Sequence, residues 1–411
     1  MKKALIVAAG LRGIIGHNFF YTQTVQRELE KRGFEVTVFI NKNAPADLLR
    51  ETGYKAVFPL GTYDSIPLNG KVHDLVYTYL QAGIYSYELQ SALNKLDDKD
   101  FDLVFFHTIA DFELIGLNRY LKKNSFRGYL FVMQRFTLGF RTLSKWKTIF
   151  HPYWRMKPHY FKALYRRMKG RFVLLTDSEL LTEDFANIFP HKIVTAPIPL
   201  EEKEVDDSDN SLFSRYNLQK SDFVDFGYLG DSREGKGFSM LPAMIKKALQ
   251  SEKKLRFIIQ CPNSEYDNEI PVGLTELEAL AKTNPENVIL VNERLLDEDY
   301  LRLFKFMDVI MIPYKSFGFV EGTSNIFTES AAFGKPVVVS NNTWMSNELK
   351  KYEGGLEFEK GNADDFAEKV VKLADNYSEF AKKASDFSSV WKATHNAENL
   401  VDLLLKEAKL N

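Results

Sequence analysis

The chain has 411 residues, 45% of them hydrophobic, and its single cysteine is Cys261. This length favours two domains over one, and a single cysteine excludes an intramolecular disulfide and a cysteine-rich metal site. The 54 Lys and Arg nearly balance the 55 Asp and Glu, so net charge predicts no polyanionic partner. No apolar run reaches the length of about 18 residues that a membrane-spanning helix needs. The N-terminal sequence MKKALIVAAGLRG has only a short apolar run, and glycines follow it as they follow a strand. We therefore expect a folded N-terminus and a cytoplasmic protein.

The first half of the chain alternates apolar, β-rich segments with amphipathic ones, which cover residues 19–32 and 111–122 among others. The predicted strands are ALIVAA (4–9), EVTVFI (35–40), DLVFFH (102–107), GYLFVM (128–133) and RFVLLT (171–176). Continuously apolar strands joined by helices predict a parallel sheet that is covered on both faces.

An acidic, strand-poor stretch over 199–222 predicts a linker, after which the pattern restarts. The second set of predicted strands is VDFGYLG, LRFIIQC, NVILVN, DVIMIPY and PVVVS. We therefore expect two α/β domains: 1–198, joined by a C-terminal helix at about 388–411, and 199–387. Trp391 is the expected anchor of the helical tail. Parallel sheets bind ligands at the carboxyl ends of their strands, so the site is expected in the cleft between the domains.

Two glycine-rich loops follow predicted strands. The first contains Gly10, Gly13 and Gly16, which suits either close backbone approach to an anion or a plain glycine turn. The second, GYLGDSREGKGF (227–238), carries Arg233 and Lys236 and suits a diphosphate or is a solvated polar turn. Its spacing is not that of a Walker loop, and the absence of G-x-G-x-x-G after either first strand disfavours a dinucleotide oxidoreductase.

The segment VEGTSNIFTESAAFGKPVVVS (320–340) places Glu321 and Glu329 eight positions apart. Thr323 or Ser324 is a suitable N-cap for a helix that contains Glu329. The free amides of a helix N-terminus suit a phosphate, and neighbouring carboxylates accept hydrogen bonds from sugar hydroxyls. The alternative is that Glu329 only complements the helix dipole and Glu321 is solvated.

This segment resembles the E-x7-E signature of the retaining glycosyltransferases of family four, which have the two-domain GT-B fold. MKKALIVAAG with LEKRGFEVTVF is similar to the N-terminal start of that family, YLGDSREGKGF to its Lys-Gly phosphate loop, and GGLEFEKGNADDFAEKVVKLADN to its closing segment. The resemblance spans nearly the whole chain. It is strongest over 224–375 and loose over 45–100.

The resemblance implies that Glu329 binds the donor ribose, Glu321 contacts the transferred sugar, and Arg233 and Lys236 bind the diphosphate. Gly16 of the first loop and the amides of 322–326 would assist; the donor-binding candidates among them are Gly16, Gly322, Thr323, Ser324 and Asn325. Base contacts are expected near Arg294 and Leu295.

Two departures from the family pattern stand out. Arg233 must substitute for an arginine that the family usually has directly after the glycine of the phosphate-loop strand. A histidine common at the end of the fourth strand is replaced by Gln134 and Arg135. His107, which ends the preceding strand, is then the nearest remaining imidazole, and it has either a catalytic role or none.

The resemblance further implies a nucleotide-diphosphate sugar as co-substrate, with UDP or GDP expected as the nucleotide. In the mechanism proposed for the family, the acceptor attacks from the face that the diphosphate leaves, and the departing oxygen takes the proton. We expect no cofactor and no metal, because the Asp-x-Asp triplets at 98–100 and 207–209 lie in charged segments typical of solvated loops.

The stretch 135–171 has eleven Lys or Arg, nine aromatic residues and no Asp or Glu. This composition suits an interfacial segment on anionic lipid, with a solvated basic face or a nucleic-acid surface as alternatives. We expect peripheral attachment to the inner face of the cell membrane, a glycan or lipid-linked acceptor, and no nucleic acid. The candidate acceptor-side or membrane-side residues are Gln134, Arg135, Lys145, Trp146, Lys147, Trp154, Arg155, Arg166 and Arg167.

The sequence thus predicts a retaining, metal-independent glycosyltransferase that acts on a glycan, lipid-linked or cell-surface polymer acceptor. Two alternatives remain open. One is another GT-B sugar-nucleotide enzyme such as an epimerase. The other is a non-catalytic binding protein with this fold, which the missing histidine favours.

Overall fold

The computed structural model describes residues 1–14, 17–62, 74–96, 100–137, 152–200, 211–262, 270–295 and 297–410. The chain divides into two compact units. The first comprises Met1–Glu201 and His395–Asn411, and the second comprises Glu202–Thr394. Each unit has its own parallel β-sheet with helices packed against it.

The first unit contains a seven-stranded sheet in the order β3-β2-β1-β4-β5-β6-β7. Its strands are β1 (Lys2–Ala8), β2 (Phe34–Asn41), β3 (Lys55–Phe58), β4 (Leu103–Phe106), β5 (Tyr129–Gln134), β6 (Phe172–Thr176) and β7 (Ile193–Thr195). Its helices are α1 (His17–Lys31), α2 (Ala46–Thr52), α3 (Asp74–Asn94), α4 (Asp111–Tyr120), α5 (Pro152–Arg167) and α6 (Glu179–Ala186). The central strands are buried on both faces, which is why their sequences are continuously apolar.

The second unit contains a six-stranded sheet in the order β10-β9-β8-β11-β12-β13. Its strands are β8 (Val224–Tyr228), β9 (Leu255–Gln260), β10 (Val288–Val291), β11 (Val309–Ile312), β12 (Val337–Ser340) and β13 (Gly355–Phe358). Its helices are α7 (Ser211–Arg215), α8 (Leu241–Ala248), α9 (Leu274–Thr283), α10 (Asp297–Phe306), α11 (Asn325–Phe333), α12 (Trp344–Tyr352), α13 (Ala363–Asp375) and α14 (Tyr377–Thr394).

Both sheets follow one winding scheme: three strands added in one direction, then the remainder added on the other side of the first strand. The direction in which strands are added reverses between β1 and β4 in the first sheet and between β8 and β11 in the second, and both pairs are parallel. In open parallel sheets this switch point leaves a crevice at the carboxyl ends of the two central strands, where ligands bind.

A last helix, α15 (Ala397–Ala408), returns to the first unit. Its apolar face, including Leu400 and Leu404, joins the core that surrounds Val25 and Leu29 of α1. The Nη1 atom of Arg32 lies 2.6 Å from Oδ1 of Asp402. The predicted architecture, two parallel-sheet α/β domains with a C-terminal helix that packs back on the first, is therefore confirmed. Trp391 is buried in the second unit, where its ring packs against those of Phe327 and Phe387.

All ten strands predicted from apolar runs are present, with ends that differ by one or two residues. Three edge strands, β3, β7 and β13, were not predicted. Each is only three or four residues long and lies wholly or partly outside the core, so its sequence lacks a continuous apolar run.

Candidate functional site

The glycine-rich loop after β8 and the loop after β11 lie side by side, because β8 and β11 are parallel neighbours at the switch point of the second sheet. The carbonyl of Gly235 accepts hydrogen bonds from the amides of Lys315 and Ser316 at 3.1 and 3.0 Å. At Gly237, φ is +77°, and an added Cβ would lie 1.8 Å from the carbonyl oxygen of Pro313. Only glycine permits this close approach, so Gly237 allows the two loops to pack against each other.

Lys236 and Arg233 are the cations of this loop. The Lys236 side chain is partly buried, and its amine lies 5.9 Å from the centroid of the Tyr314 ring. Burial, followed by the positive charge of Arg233, lowers the pKa of Lys236 to about 8, against the opposing effects of Asp231 and Glu329. The Arg233 side chain is 47% exposed, and its Nε lies 2.6 Å from Asp231 Oδ2. One cation is therefore held in a desolvated position while the other reaches solvent.

Glu329 lies on α11, close enough to Lys236 to influence its titration. Its carboxylate is partly buried and accepts a hydrogen bond from the hydroxyl of Tyr300. Burial, together with the negative charge of Glu329, raises the pKa of Tyr300 well above its ordinary value, so Tyr300 remains a donor at neutral pH. The tyrosine therefore fixes the orientation of the carboxylate.

Helix α11 begins after Ser324, whose Oγ accepts a hydrogen bond from the Phe327 amide at 3.3 Å. Ser324 is also hydrogen-bonded to Tyr314, whose pKa burial raises to about 12. The predicted N-cap is thus present, and it connects the helix to the aromatic ring beside Lys236. The amide of Gly322 donates to the Gly318 carbonyl at 3.1 Å, so it takes part in the turn before the helix.

Glu321 is completely buried just ahead of α11. Glu321 and Glu329 therefore differ in environment, although both belong to the predicted pair. Glu329 is partly exposed. Contact with Glu321 requires the atoms that cover it to move.

Arg294 and Leu295 follow β10, next to β9 in the sheet. Leu295 is buried. The preceding residue, Glu293, forms an ion pair with Arg215 and accepts a hydrogen bond from the hydroxyl of Tyr216 at 2.8 Å. The structure thus places the predicted base-contacting residues on a loop that is tied to α7 and the residue after it.

The polar candidates of the first unit lie at the carboxyl ends of β4 and β5. The His107 ring is buried and lies 5.3 Å from the ring of Tyr21, and the guanidinium of Arg135 lies 4.7 Å from the centre of the same ring. Nε of Arg135 is 3.6 Å from Oδ2 of Asp177, which follows β6. The structure therefore brings His107 and Arg135 together around Tyr21. We call these three residues and Asp177 the Tyr21 cluster.

Gln134, the other residue in place of the family histidine, is buried, and its Nε2 donates to the carbonyl of Ile109 at 3.0 Å. Burial raises the pKa of Tyr21 to about 12. Neither Tyr21 nor Asp177 was predicted from the sequence as a site residue. The signal that points to Asp177 is its place directly after a predicted strand.

The basic segment is only partly described. Gly16, Lys145, Trp146 and Lys147 lie outside the described residues, as do the side chains of Trp154 and Arg155.

On α5, Arg166 is exposed and Arg167 donates a hydrogen bond to Asn118. The opposite face of α5 joins the core through Phe161 and Leu164. Lys157 is fully buried, with its amine 5.3 Å from the centre of the Phe185 ring. Part of the aromatic and basic content of this segment therefore serves the interior of the first unit.

Within the described ranges, no group of three or more His, Cys, Asp or Glu side chains is arranged to hold a metal ion. Asp100 forms an ion pair with Arg127 at 2.9 Å, and the remaining residues of the two Asp-x-Asp triplets lie outside those ranges. Among the described helices, none combines the length and the apolar character needed to cross a membrane.

Residues 224–376 match the family model described as glycosyl transferases group 1. A capsular polysaccharide biosynthesis glycosyltransferase, CapM from Staphylococcus aureus, is 25% identical over 231 residues. That match covers 53% of this chain and 57% of the relative.

Solved structures are similar over nearly their whole length. A glycosyltransferase from Rickettsia africae has a TM-score of 0.65 at 13% identity, covering 100% of this chain and 99% of that one. HepE from Anabaena, in complex with UDP and glucose, has a TM-score of 0.64 at 14% identity, covering 99% and 98%. The E. coli trehalose-6-phosphate structure bound with UDP-2-fluoro glucose has a TM-score of 0.66 at 12% identity, covering 100% and 99%.

These likenesses cover both units, and the family match coincides with the unit that carries Lys236 and Glu329. The chain therefore has the GT-B fold, and its residues 224–376 are similar to the glycosyl transferases group 1 family.

Proposed function

We propose that the chain is a retaining glycosyltransferase of family four that moves a sugar from a nucleotide-diphosphate sugar to a glycan, lipid-linked or cell-surface polymer acceptor. The observation that carries the proposal is the meeting of Lys236, Arg233 and Glu329 with the start of α11 at the switch point of the second sheet. The match of 224–376 to a glycosyltransferase family supports it. UDP is the first nucleotide to test, with GDP second, because two similar structures hold UDP or a UDP-sugar analogue.

Lys236 and Arg233 would bind the diphosphate. Burial, the main cause of the lowered pKa of Lys236, removes part of the water around its amine. A phosphate that binds there therefore displaces few water molecules, and solvent weakens its attraction to the amine only a little. Arg233 is half exposed and is able to turn from Asp231 to a phosphate oxygen. The first amides of α11 would add hydrogen bonds to the same group.

Glu329 would accept hydrogen bonds from the ribose hydroxyls, in the orientation set by Tyr300. Glu321 would contact the transferred sugar once the atoms above it have moved. Arg294 and Leu295 would face the base through their backbone.

The chemical step needs little acid–base equipment from the protein. The acceptor oxygen forms its bond to the anomeric carbon on the face from which the diphosphate leaves, and its proton passes to the departing phosphate oxygen. Negative charge grows on that oxygen, and Lys236 and Arg233 stabilise it. Removing one such donor typically lowers turnover by about 10² to 10³. We propose that no resident metal takes part.

The first unit would bind the acceptor. Arg135 and Gln134 replace the histidine common in the family, and His107 lies in the same Tyr21 cluster. A glycan acceptor is supported by the likeness to a capsular polysaccharide biosynthesis enzyme. We propose a cytoplasmic protein attached peripherally to the inner face of the membrane, with exposed cations such as Arg166 in contact with anionic lipid.

A thermal-shift panel of UDP, GDP, ADP and dTDP tests the donor site. We expect one diphosphate to raise the melting temperature clearly, because a ligand at 100 times its dissociation constant stabilises the folded state by about 2.7 kcal/mol. The variants Glu329→Ala and Lys236→Ala should lose that response. An unchanged response in both variants would remove the two residues from the site.

Release of free nucleotide then separates the alternatives. Release that depends on an acceptor supports a transferase, isomerisation of the donor without acceptor supports an epimerase, and binding without turnover supports a non-catalytic protein. Co-sedimentation with liposomes tests the membrane proposal, which fails if binding is indifferent to the charge of the lipid.

A further inference from the structure

Gln260, the last residue of β9, is a buried polar side chain with no assigned role. Its Oε1 accepts a hydrogen bond from the Gly230 amide at 2.8 Å, and its Nε2 donates to the Glu293 carbonyl at 3.3 Å. Gly230 follows β8 and Glu293 follows β10, the two neighbours of β9. One side chain therefore connects the loops on both sides of its own strand.

The bond to Gly230 acts on the diphosphate side of the proposed site. Gly230 has φ of +93°, and an added Cβ there would lie 3.1 Å from the amine of Lys236. The Gly230 peptide is therefore next to the Lys236 amine. A second link supports the same loop, since Ser232 Oγ donates to the Pro262 carbonyl at 2.5 Å just beyond β9.

The bond to Glu293 acts on the nucleoside side. Glu293 directly precedes Arg294 and Leu295, the residues proposed to face the base. Its side chain is already held by Arg215 and Tyr216, so the Gln260 bond is a third restraint on this one residue. A primary amide is suited to this position because its carbonyl oxygen accepts on one side while its NH2 group donates on the other.

We propose that Gln260 is a positioning residue that fixes the spacing between the loop that binds the diphosphate and the loop that faces the nucleobase. The inference rests on the proposed function. A ligand that touches both loops gains affinity from their preset separation, because it does not have to order them on binding. A ligand that touches only one loop gains much less.

The test compares a whole ligand with its two parts in the variant Gln260→Met, which keeps the length of the side chain and removes both hydrogen bonds. The ligands are the nucleoside diphosphate selected by the thermal-shift panel, the corresponding nucleoside, and inorganic pyrophosphate. A competition titration measures the dissociation constant of each. We expect the dissociation constant of the nucleoside diphosphate to rise about tenfold, and those of the two parts to rise no more than about threefold. In steady-state assays, KM for the donor should rise and kcat should change little.

Gln26→Met is the matched control. Gln26 lies on α1 of the first unit and accepts a hydrogen bond from the Tyr54 hydroxyl at 2.8 Å, so its loss costs stability without touching either loop. It should leave all three dissociation constants unchanged.

If Gln260→Met does not fold, Gln260→Asn gives the same contrast, because the shorter side chain reaches only one of the two hydrogen-bond partners, Gly230 and Glu293. Equal weakening of all three ligands, or no weakening in a folded variant, would overturn the inference. Failure of the wild-type protein to bind any nucleoside diphosphate would instead count against the proposed function.

Discussion

The two sheets have the same strand order around their switch points, yet the polar groups at those points differ in environment. In the second unit Arg233 is half exposed, Lys236 is partly buried, and glycines keep side chains away from the loop. In the first unit Arg135, Asp177 and Tyr21 are largely buried and interact with one another. The same topology thus leaves the arginine of the second unit half exposed, whereas the arginine of the first unit is paired in a largely buried position.

The largest expected effect separates Lys236 from Lys335, two lysines whose pKa burial lowers to about 8. Lys335 donates to the carbonyls of Lys305 and Met307 at 2.6 and 2.7 Å, at the amino ends of the strands. We expect Lys236→Met to reduce turnover by about 10² to 10³. Lys335→Met should lower the melting temperature but leave turnover of the folded fraction unchanged, and equal loss of turnover in both variants would contradict the distinction.

The next effect concerns stability in the first unit. Asp177→Asn removes the charge beside the largely buried Arg135, and breaking a buried ion pair in this way costs about 3 kcal/mol of unfolding free energy. The matched control is Asp100→Asn, because the Asp100–Arg127 pair is exposed on both sides and such pairs contribute less than about 1 kcal/mol. Urea denaturation measures both variants.

The folded Asp177→Asn variant should bind the nucleoside diphosphate with the same affinity as the wild-type protein. A large loss of nucleotide affinity with little loss of stability would show that the Tyr21 cluster serves the donor. That outcome would contradict the contrast between the two units.

The third effect is a pH dependence. Because the Lys236 pKa is about 8 in the free site, the amine is charged below pH 8 and neutral above it. Diphosphate affinity should therefore be constant up to about pH 8, then fall by up to about tenfold per pH unit, since binding must take up a proton. Lys236→Arg keeps its charge and should give a flat profile from pH 7 to 9.5.

The stability of the ligand-free protein should change in the opposite direction. The unfolded lysine, with its ordinary pKa of 10.5, holds its proton between pH 8 and 10.5 while the folded one has lost it. The contribution of this group to stability therefore rises with pH over that window. Affinity and stability that fall together would indicate titration of another group.

The sequence predicted the parts of the site that depend on backbone conformation. The helix N-cap at Ser324 and the strand within DVIMIPY each have a local signature, and the structure contains both. Tyr300 and Gln260 have no such signature, because their roles depend on which loops the fold brings beside them. The burial of Glu321 was also not predictable, since residues distant in sequence decide what covers a loop carboxylate.

The smallest effect tests how Glu329 is held. Tyr300→Phe removes the hydroxyl that donates to the carboxylate and leaves the ring in place. A hydrogen bond to a charged group contributes about 1.5 to 3 kcal/mol, but water is able to replace the donor at a partly buried carboxylate, so we expect KM for the donor to rise about threefold to tenfold with little change in kcat.

Tyr216→Phe is the matched control, because it removes a similar bond to Glu293 on the loop proposed to face the base. A deoxyribose form of the nucleotide completes the test. If Glu329 binds the ribose hydroxyls, the loss caused by Tyr300→Phe should shrink with the deoxy ligand, whereas any loss caused by Tyr216→Phe should not. Equal losses with both ligands in Tyr300→Phe would mean that the carboxylate contacts another part of the donor.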